Sequence, residues 1–247
     1  MKLQEFFKDN PKVALGFSGG VDSSYLLYAA IQSGADIQAY YVKTAFQPDF
    51  ELGDAQRLAK QLGVQMTVIE ADILTHKAVT DNPVDRCYHC KKVIFGAIKQ
   101  RALSDGYPTL IDGSNASDDA DERPGMKSLA ELSVKSPLRE CGLTKREIRR
   151  LSQEAGLFTW DKPAYACLAT RIPTSRPITA DLLERIERAE EALFFLGFTG
   201  FRVRVLDGAA KLQFPGDQIE AAVANRDRLL ASIKPYFSPV LLDLEGR

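Results

Sequence analysis

Residues 12–24 read KVALGFSGGVDSS, and this stretch decides the fold. Its first part, residues 12–17, is a short apolar run that predicts a buried strand. Two glycines follow, and residues 22–33 then have helical apolar spacing that stops at Gly34. A strand, a glycine turn and a helix in this order predict an anion site, because backbone N–H groups and the helix N-terminus point into the turn.

Strands and helices continue to alternate along the chain as far as residue 155. The pattern predicts strands over residues 37–42, 66–69 and 109–111, and helices over residues 52–62, 91–103 and 144–155. Alternating elements of this kind indicate a parallel sheet with helices on both faces, so the predicted fold class is α/β with a Rossmann-like sheet. Ligands of such sheets bind at the carboxyl ends of the strands.

A change of composition divides the chain. Residues 171–177 read RIPTSRP, which predicts a linker. A helix over residues 180–196, strands over residues 201–206, 210–214 and 240–244, and a further helix indicate a small α+β domain. We therefore expect a nucleotide-binding domain over residues 1–172 and a substrate or oligomerisation domain over residues 173–247.

Composition narrows the class of protein. The chain has 247 residues, of which 45% are hydrophobic, and its net charge is −1, so no global field draws it to nucleic acid or to a membrane surface. The N-terminal residues lack the apolar core of a secretory signal, and no apolar run approaches the roughly 18 residues of a membrane helix. We expect a cytoplasmic protein, in which four cysteines indicate metal or sulfur chemistry rather than disulfides.

The glycine turn is a candidate phosphate site. Its glycines let the backbone approach a ligand closely, and its serines add hydroxyl donors. The alternative is a plain turn in which Asp22 or Ser23 only caps the helix. The turn is not a Walker loop, because no lysine stands where the γ-phosphate requires one. The residues expected to hold the phosphates are Ser18, Gly19, Gly20, Asp22, Ser23 and Ser24.

The string SGGVDSS resembles the PP-loop signature of the N-type ATP pyrophosphatases. The resemblance implies Mg²⁺-ATP, cleavage between the α and β phosphates, and an adenylated substrate, with Asp22 as a catalytic residue. It also implies that Val42 lies against adenine and that Gly113 and Ser114 close the other side of the nucleotide. The acidic residues that follow in the same loop are either a metal site or solvated charge: Asp118, Asp119 and Asp121.

Three of the cysteines have the spacing of metal ligands. Cys87 and Cys90 form a C-x-x-C motif directly before the predicted helix at Lys91, and Cys167 follows in the polar run KPAYACLATR. Two close thiolates and a distant one match a [4Fe-4S] cluster with one open iron site. Structural zinc with His89 as a further ligand, or a redox dithiol unrelated to Cys167, remain open. The fourth, Cys141, has the context of an inert helix-end cysteine.

Several motifs in order resemble the ATP-dependent sulfur transferases of the LarE family. They are the PP-loop, the C-x-x-C motif, Ser136-Pro137-Leu138, Thr144-Lys145-x-Glu147-Ile148-Arg149, Trp160-Asp161-Lys162-Pro163 and Ala166-Cys167-Leu168. The resemblance implies adenylation of a pyridinium dicarboxylate mononucleotide and its conversion to thiocarboxylates, in the biosynthesis of the nickel-pincer cofactor of lactate racemase. It also implies a homo-hexamer. Thr174-Ser175 depart from the family pattern, which has an aromatic residue and a glycine there.

The family has two sources of sulfur. In one version a single cysteine at the position of Cys167 gives up its own sulfur, and in the other three cysteines hold a [4Fe-4S] cluster whose open iron carries a sulfide. Because this chain has Cys87, Cys90 and Cys167, the resemblance implies the cluster version, which needs an external sulfide donor.

Three arginines are candidates for the substrate phosphate, because the guanidinium group donates paired hydrogen bonds to oxyanions. They are Arg171, Arg202 and Arg204, and the alternative for the last two is the solvent face of a strand. Two other functions remain open for the chain. One is a tRNA-thiolating PP-loop enzyme, which needs a basic surface, and the other is a nucleotide-binding scaffold with structural zinc and no catalysis.

Overall fold

The computed structural model describes residues 2–118 and 124–247. These residues form two compact units. The first comprises the chain up to Ile73 together with Asp85–Ala164, and the second comprises Leu74–Val84 together with Tyr165–Arg247. The chain passes into the second unit after Ala164, earlier than the predicted boundary after Ile172, so Cys167 and Arg171 belong to the second unit.

Helices and strands follow each other closely along both units. The helices are α1 Leu3–Asp9, α2 Val21–Gln32, α3 Asp49–Gln61, α4 Lys77–Thr80, α5 Arg86–Ser104, α6 Pro124–Glu131, α7 Pro137–Glu140, α8 Lys145–Glu154, α9 Ala180–Phe195, α10 Ile219–Ala224 and α11 Arg226–Ile233. The strands are β1 Lys12–Gly16, β2 Asp36–Lys43, β3 Met66–Glu70, β4 Thr109–Ile111, β5 Arg202–Leu206, β6 Ala209–Gln213 and β7 Val240–Leu242.

The first unit is built on a parallel sheet in the order β3-β2-β1-β4. Leu15 of β1 pairs with Ala39 of β2 on one side and with Ile111 of β4 on the other. The continuous apolar run of β1 explains this arrangement, because the strand presents side chains to two covered faces. The predicted α/β fold class with a Rossmann-like sheet is confirmed.

Successive residues of the strands enter different cores. Val13 and Leu15 of β1 pack with α2, α3 and α8 through residues such as Leu58 and Ile148, whereas Ala14 packs on the α5 side with Phe95. All six side chains are buried. The sheet is therefore held from both faces, and the polar groups at its carboxyl edge are fixed by a rigid layer.

The chain reverses its direction of travel across the sheet at β1. From β1 it proceeds to β2 and β3 on one side, and β4 is added on the other side. The loops that leave β1 and β4 therefore start from neighbouring strands at the switch point, where open α/β sheets bind their ligands. Both loops contain residues predicted to hold ATP.

The second unit contains a sheet in the order β5-β6-β7, with β5 and β6 antiparallel and β6 and β7 parallel. Asp207 and Gly208 join β5 to β6 with positive φ angles of 47° and 88°, the conformation of tight hairpin turns. Helix α9 supplies Ile186 and Leu193 to a core completed by Val203 of β5. The smaller α+β unit predicted for the C-terminal part is present.

Short elements depart from the sequence prediction. Helix α5 begins at Arg86 rather than at Lys91, so the C-x-x-C motif lies within the helix. Helices α1, α4, α6 and α7 have no counterpart in the prediction, because four to eight residues show too little periodicity to be recognised. Helix α8 begins with the predicted capping box, in which Thr144 accepts from the N–H of Glu147 and Glu147 accepts from the N–H of Thr144.

Candidate functional site

The PP-loop is preorganised by its own hydroxyl groups. Gly19 has a φ of 69°, and Gly20 caps α2 in an extended conformation. The Oγ atoms of Ser18 and Ser23 lie 3.1 Å apart, and the N–H groups of Ser18 and Gly20 donate to Ser23 Oγ and Ser18 Oγ at 3.3 Å each. The Ser24 side chain is fully buried. The loop thus forms a fixed turn at the start of a helix, as expected for an anion site.

Two neighbouring segments touch the loop at glycines. A Cβ atom on Gly19 would lie 2.9 Å from Cβ of Ala55 in α3, and a Cβ atom on Gly113 would lie 2.9 Å from the backbone nitrogen of Ser23. No other residue fits these positions without displacing backbone, and Gly19 also has a positive φ. The turn after β4 therefore lies directly against the start of α2, and the role of Gly113 at the nucleotide stays a prediction.

Asp22 lies in the first turn of α2 and has an unexpected partner. Its Oδ2 atom is 2.5 Å from Nζ of Lys145, the first residue of α8, and its Oδ1 atom is buried with no hydrogen bond among the described residues. A buried carboxylate oxygen without a partner is costly, and a bound cation would satisfy it. The sequence analysis missed Lys145, because 123 positions separate it from Asp22.

The loop after β4 contains a second buried carboxylate. Ser114 donates to Asp112 Oδ2 at 2.5 Å and Ser136 donates to Oδ1 at 2.6 Å, so Asp112 fixes the residue predicted to close the nucleotide site. Val42, predicted to lie against adenine, is 7% exposed in the core that contains Phe95. The sequence analysis did not single out Asp112, because a lone aspartate after a strand gives no specific signal.

The loop before Pro163 is held from two sides. The guanidinium of Arg149 donates to the carbonyls of Trp160 and Lys162 at 2.6 and 2.8 Å, and Nζ of Lys162 lies 2.7 Å from Asp54 Oδ2 in α3. Asp54 precedes Ala55, which touches Gly19, so this loop is anchored beside the PP-loop. Of the acidic residues in the 112–121 loop, Asp118 accepts from the N–H of Asn115 at 3.0 Å, and Asp119 and Asp121 lie outside the described residues.

The cysteines are distributed over both units. Cys87 and Cys90 lie in the first turn of α5, where Cys87 is exposed and its Sγ is 3.9 Å from a guanidinium nitrogen of Arg86. His89, the possible zinc ligand, lies 3.3 Å from Asp85 Oδ2. Burial raises the pKa of the Cys141 thiol, which agrees with an inert role for that residue.

Cys167 belongs to the second unit, at the start of the 3₁₀ turn Leu168–Arg171. Among residues 2–118 and 124–247, no group of three or more His, Cys, Asp or Glu side chains is placed to hold a metal ion. The donor set itself, three cysteine thiols, has the chemistry that iron–sulfur clusters require. The cluster assignment of Cys87, Cys90 and Cys167 therefore stays a prediction.

Arg171 is the buried centre of the second unit. Its Nε and one terminal nitrogen donate to both oxygens of Glu190 at 2.8 and 2.9 Å, and its other terminal nitrogen donates to the carbonyls of Ala166 and Cys167 at 2.6 and 3.2 Å. Arg171 and Glu190 are 1% and 2% exposed, and the Tyr165 hydroxyl also donates to Glu190. Every guanidinium nitrogen of Arg171 thus has a protein acceptor, an arrangement that serves the Cys167 loop rather than a phosphate.

Arg202 and Arg204 are placed differently from Arg171. Arg202 is buried, stacks on the Tyr165 ring at 4.9 Å, and has its pKa lowered to about 10 by burial and by the charge of Arg171. Arg204 is exposed, donates to the Thr170 carbonyl at 2.8 Å, and has its pKa lowered by partial desolvation and by the charges of Arg171 and Arg247. Desolvation is the largest cause of both pKa shifts, and the neighbouring charges of Arg171 and Arg247 add to it.

Comparison with known proteins identifies the family to which this chain belongs. Pyridinium-3,5-bisthiocarboxylic acid mononucleotide synthase of Lactiplantibacillus plantarum is 31% identical over 242 residues, which cover 97% of this chain and 88% of that protein. The chain belongs to the LarE family. This membership confirms the family resemblance and the predicted enzyme class, an ATP-dependent sulfurtransferase.

Other relatives agree with membership of the LarE family. An uncharacterised protein of Synechocystis is 36% identical and covers 99% of this chain and 92% of its own length. The family model of the queuosine biosynthesis protein QueC matches residues 12–87, which include the PP-loop. The tRNA-specific 2-thiouridylase MnmA of Thermotoga petrophila is 27% identical over 61% of this chain and 54% of its own length. No helix in the described parts of the chain is long and apolar enough to cross a membrane.

Replacement of Arg171 by Met tests the buried ion pair. We expect the free energy of unfolding to fall by about 3–5 kcal/mol, because Glu190 would remain buried without its counter-charge. The matched control is Arg188→Met on the same helix as Glu190, since Arg188 pairs at 3.0 Å with the part-exposed Glu191 and its loss should change little. Urea denaturation measures the free energy of unfolding of both variants. If Arg171→Met were as stable as Arg188→Met, the buried pair would not contribute to the stability of the fold.

Proposed function

We propose that this protein adenylates the carboxylates of a pyridinium dicarboxylate mononucleotide with ATP and converts them to thiocarboxylates. The observation that carries the proposal is the preorganised PP-loop, in a chain that aligns over nearly its whole length with a synthase of a pyridinium bisthiocarboxylic acid mononucleotide. The product would then enter the biosynthesis of the nickel-pincer cofactor of lactate racemase. The alignment with the tRNA thiouridylase covers a smaller share of both chains, which favours the small-molecule substrate over tRNA.

The first step activates a poor electrophile. A carboxylate oxygen of the substrate attacks the α-phosphorus of ATP, the bond from that phosphorus to the bridging oxygen breaks, and pyrophosphate leaves. Backbone N–H groups around Gly19 and Gly20, with the Ser18 and Ser23 hydroxyls, would hold the departing charge. Asp22 has a buried oxygen without a partner, which suits a Mg²⁺ ligand or its bound water.

Nucleotide binding involves the loop after β4 as well. Gly113 lets its backbone reach the N-terminus of α2, and the hydrogen bond to Asp112 orients Ser114 toward a fixed position. Val42 at the end of β2 would contact adenine through the same carboxyl edge of the sheet. These residues would set the orientation of ATP relative to the substrate carboxylate, which governs the rate of an in-line attack.

The second step transfers sulfur. A sulfur nucleophile forms the carbon–sulfur bond as the carbon–oxygen bond to AMP breaks, so that AMP leaves and the thiocarboxylate remains. We propose that Cys87, Cys90 and Cys167 hold a [4Fe-4S] cluster, which when bound keeps a sulfide supplied by an external donor deprotonated. The Arg171 contacts to the carbonyls of Ala166 and Cys167 would hold the Cys167 backbone in place.

The second unit would bind the substrate phosphate. Arg204 is exposed and has the positive charges of Arg171 and Arg247 nearby, so an anion beside it would be stabilised. Every guanidinium nitrogen of Arg171 is used within the buried unit. Arg204 is exposed and, among the described residues, uses only Nε and one terminal nitrogen, for Gln213 and the Thr170 carbonyl. We therefore assign Arg171 to positioning and the direct contact to Arg204. The homo-oligomer implied by the family remains a prediction for this chain.

The first prediction of this proposed function concerns the products of ATP cleavage. With Mg²⁺ and the substrate, the protein should release AMP and pyrophosphate, and Asp22→Asn should lower this rate by about 100-fold or more, because a ligand of the reacting charge is lost. The measurement is chromatographic separation of nucleotide products. The control is Asp36→Asn, which lies at the amino ends of the strands, away from the candidate ATP site, and this variant should cleave ATP at the normal rate. ADP and orthophosphate as the sole products would refute the proposed adenylation.

The second prediction concerns the metal ligands. Protein purified without oxygen should contain iron and acid-labile sulfide, and alanine at Cys87, Cys90 or Cys167 should each remove the iron, because each substitution deletes a ligand. Cys141→Ala is the matched control and should retain it. Metal analysis decides the question, since zinc without sulfide would instead support a structural metal site. ATP cleavage should survive these substitutions in part, because adenylation needs no thiol.

The third prediction separates the two sources of sulfur. A protein that sacrificed Cys167 would react once and leave dehydroalanine, whereas a cluster-bound sulfide leaves Cys167 intact. We expect several turnovers when sulfide is supplied under reducing, oxygen-free conditions, and an unmodified Cys167 in the mass spectrum afterwards. A single turnover with stoichiometric dehydroalanine, from protein shown to contain its cluster, would contradict this assignment.

A further inference from the structure

The ion pair between Lys145 and Asp22 places a lysine at the rim of the PP-loop. Nζ of Lys145 is 2.5 Å from Asp22 Oδ2, and the two side chains are 35% and 22% exposed. The seven residues of the loop, 18–24, contain no lysine or arginine of their own. Lys145 is therefore a cation that the tertiary structure adds to a site that lacks one in sequence.

The backbone of Lys145 is held in place, while its side chain is part-exposed and has Asp22 as its ionic partner. Its N–H group donates to Ser117 Oγ at 3.0 Å, and Thr144 before it forms the capping box with Glu147. The loop that carries Gly113 is tied to the same segment, since the N–H of Ala116 donates to the Leu143 carbonyl at 2.8 Å. A fixed backbone and a half-exposed side chain give Nζ freedom to exchange one oxyanion for another nearby.

The charge of a bound phosphate makes such an exchange necessary. Pyrophosphate in the loop would bring several negative charges close to the Asp22 carboxylate, and like charges at this distance repel. A Mg²⁺ ion on Asp22 and a cation on the phosphate remove that repulsion. Lys145 is placed to be the cation on the phosphate, because its present partner, Asp22, is the residue that would bind Mg²⁺.

Lys162, a second lysine near the loop, is more deeply enclosed than Lys145, and its buried Nζ makes no hydrogen bond among the described residues. Its side chain is only 15% exposed and lies against Asp54, and Arg149 holds its carbonyl at 2.8 Å. Moving Nζ of Lys162 would leave the Asp54 carboxylate without its counter-charge, whereas Asp22 would gain a metal ion when Lys145 left. Lys145 is thus the better candidate for a ligand contact.

We propose that Lys145 is a phosphate-binding residue of the PP-loop, which exchanges Asp22 for the β and γ phosphates when nucleotide binds. The inference rests on the proposed ATP site and adds to it the cation that neutralises the leaving pyrophosphate. In the ligand-free protein the same lysine stabilises the Asp22 carboxylate.

Binding of pyrophosphate and of AMP, measured by calorimetry, tests the proposal without relying on turnover. Lys145→Met should weaken pyrophosphate binding by about tenfold to a hundredfold, because a charge-assisted contact is lost, and should leave AMP binding unchanged. Lys145→Arg should bind pyrophosphate within a few-fold of the unaltered protein. Lys12→Met is the matched control, since Lys12 pairs with Asp36 at 3.8 Å at the opposite edge of the sheet. Thermal melting confirms that each variant is folded.

A second comparison separates contact with phosphate from neutralisation of Asp22. Titrations in metal-free buffer with Asp22→Asn, alone and combined with Lys145→Met, remove the carboxylate charge from both proteins. The proposal expects the double variant to bind pyrophosphate about tenfold or more weakly than Asp22→Asn alone. Equal affinities of these two variants would overturn it, as would Lys145→Met binding pyrophosphate as tightly as the unaltered protein.

These measurements distinguish failure of the Lys145 assignment from failure of the proposed function. If the unaltered protein releases AMP and pyrophosphate but Lys145→Met keeps its pyrophosphate affinity, only the assignment of Lys145 is wrong. If the unaltered protein binds no pyrophosphate with or without Mg²⁺, the ATP site itself is wrong and the Lys145 proposal falls with it.

Discussion

The approach of backbone to backbone at Gly19 and Gly113 is the constraint on which the candidate ATP site depends. A Cβ atom at either position would lie 2.9 Å from Ala55 or from the nitrogen of Ser23. Without that atom, the turn after β1, the turn after β4 and helix α3 meet at one point of the sheet edge. The N–H groups of the PP-loop and the groups around Asp112 are then fixed before any ligand arrives, which is the condition for strong electrostatic stabilisation.

The second unit depends on a buried charge rather than on a close approach of backbone. Arg171 and Glu190 bind each other in a region from which water is excluded, and each also binds the loop or strand beside it. Replacing one partner leaves an uncompensated charge, so the pair also specifies the conformation of the Cys167 loop. The sequence predicted that Arg171 binds the substrate, but its contacts are better explained by a role in positioning the Cys167 loop.

Acidic and basic side chains meet repeatedly around the two candidate sites, and they do so across long distances in sequence. Asp22 with Lys145 and Asp54 with Lys162 are such pairs beside the PP-loop. The lysines beside the PP-loop therefore come from helix α8 and from the loop before Pro163, and not from the PP-loop itself. Under the proposed exchange, Lys145 would supply the cation that a loop without a Walker lysine lacks.

The sequence by itself determined the alternation of elements, the position of the PP-loop between β1 and α2, and the capping box of α8, because these follow from local periodicity and short-range hydrogen bonds. It also identified the family through motifs that lie in order along the chain. Only the tertiary structure decided that Lys145 reaches Asp22 and that the donors of Arg171 are used internally. Those contacts join residues from different elements, and neither spacing nor composition contains the three-dimensional path that brings them together.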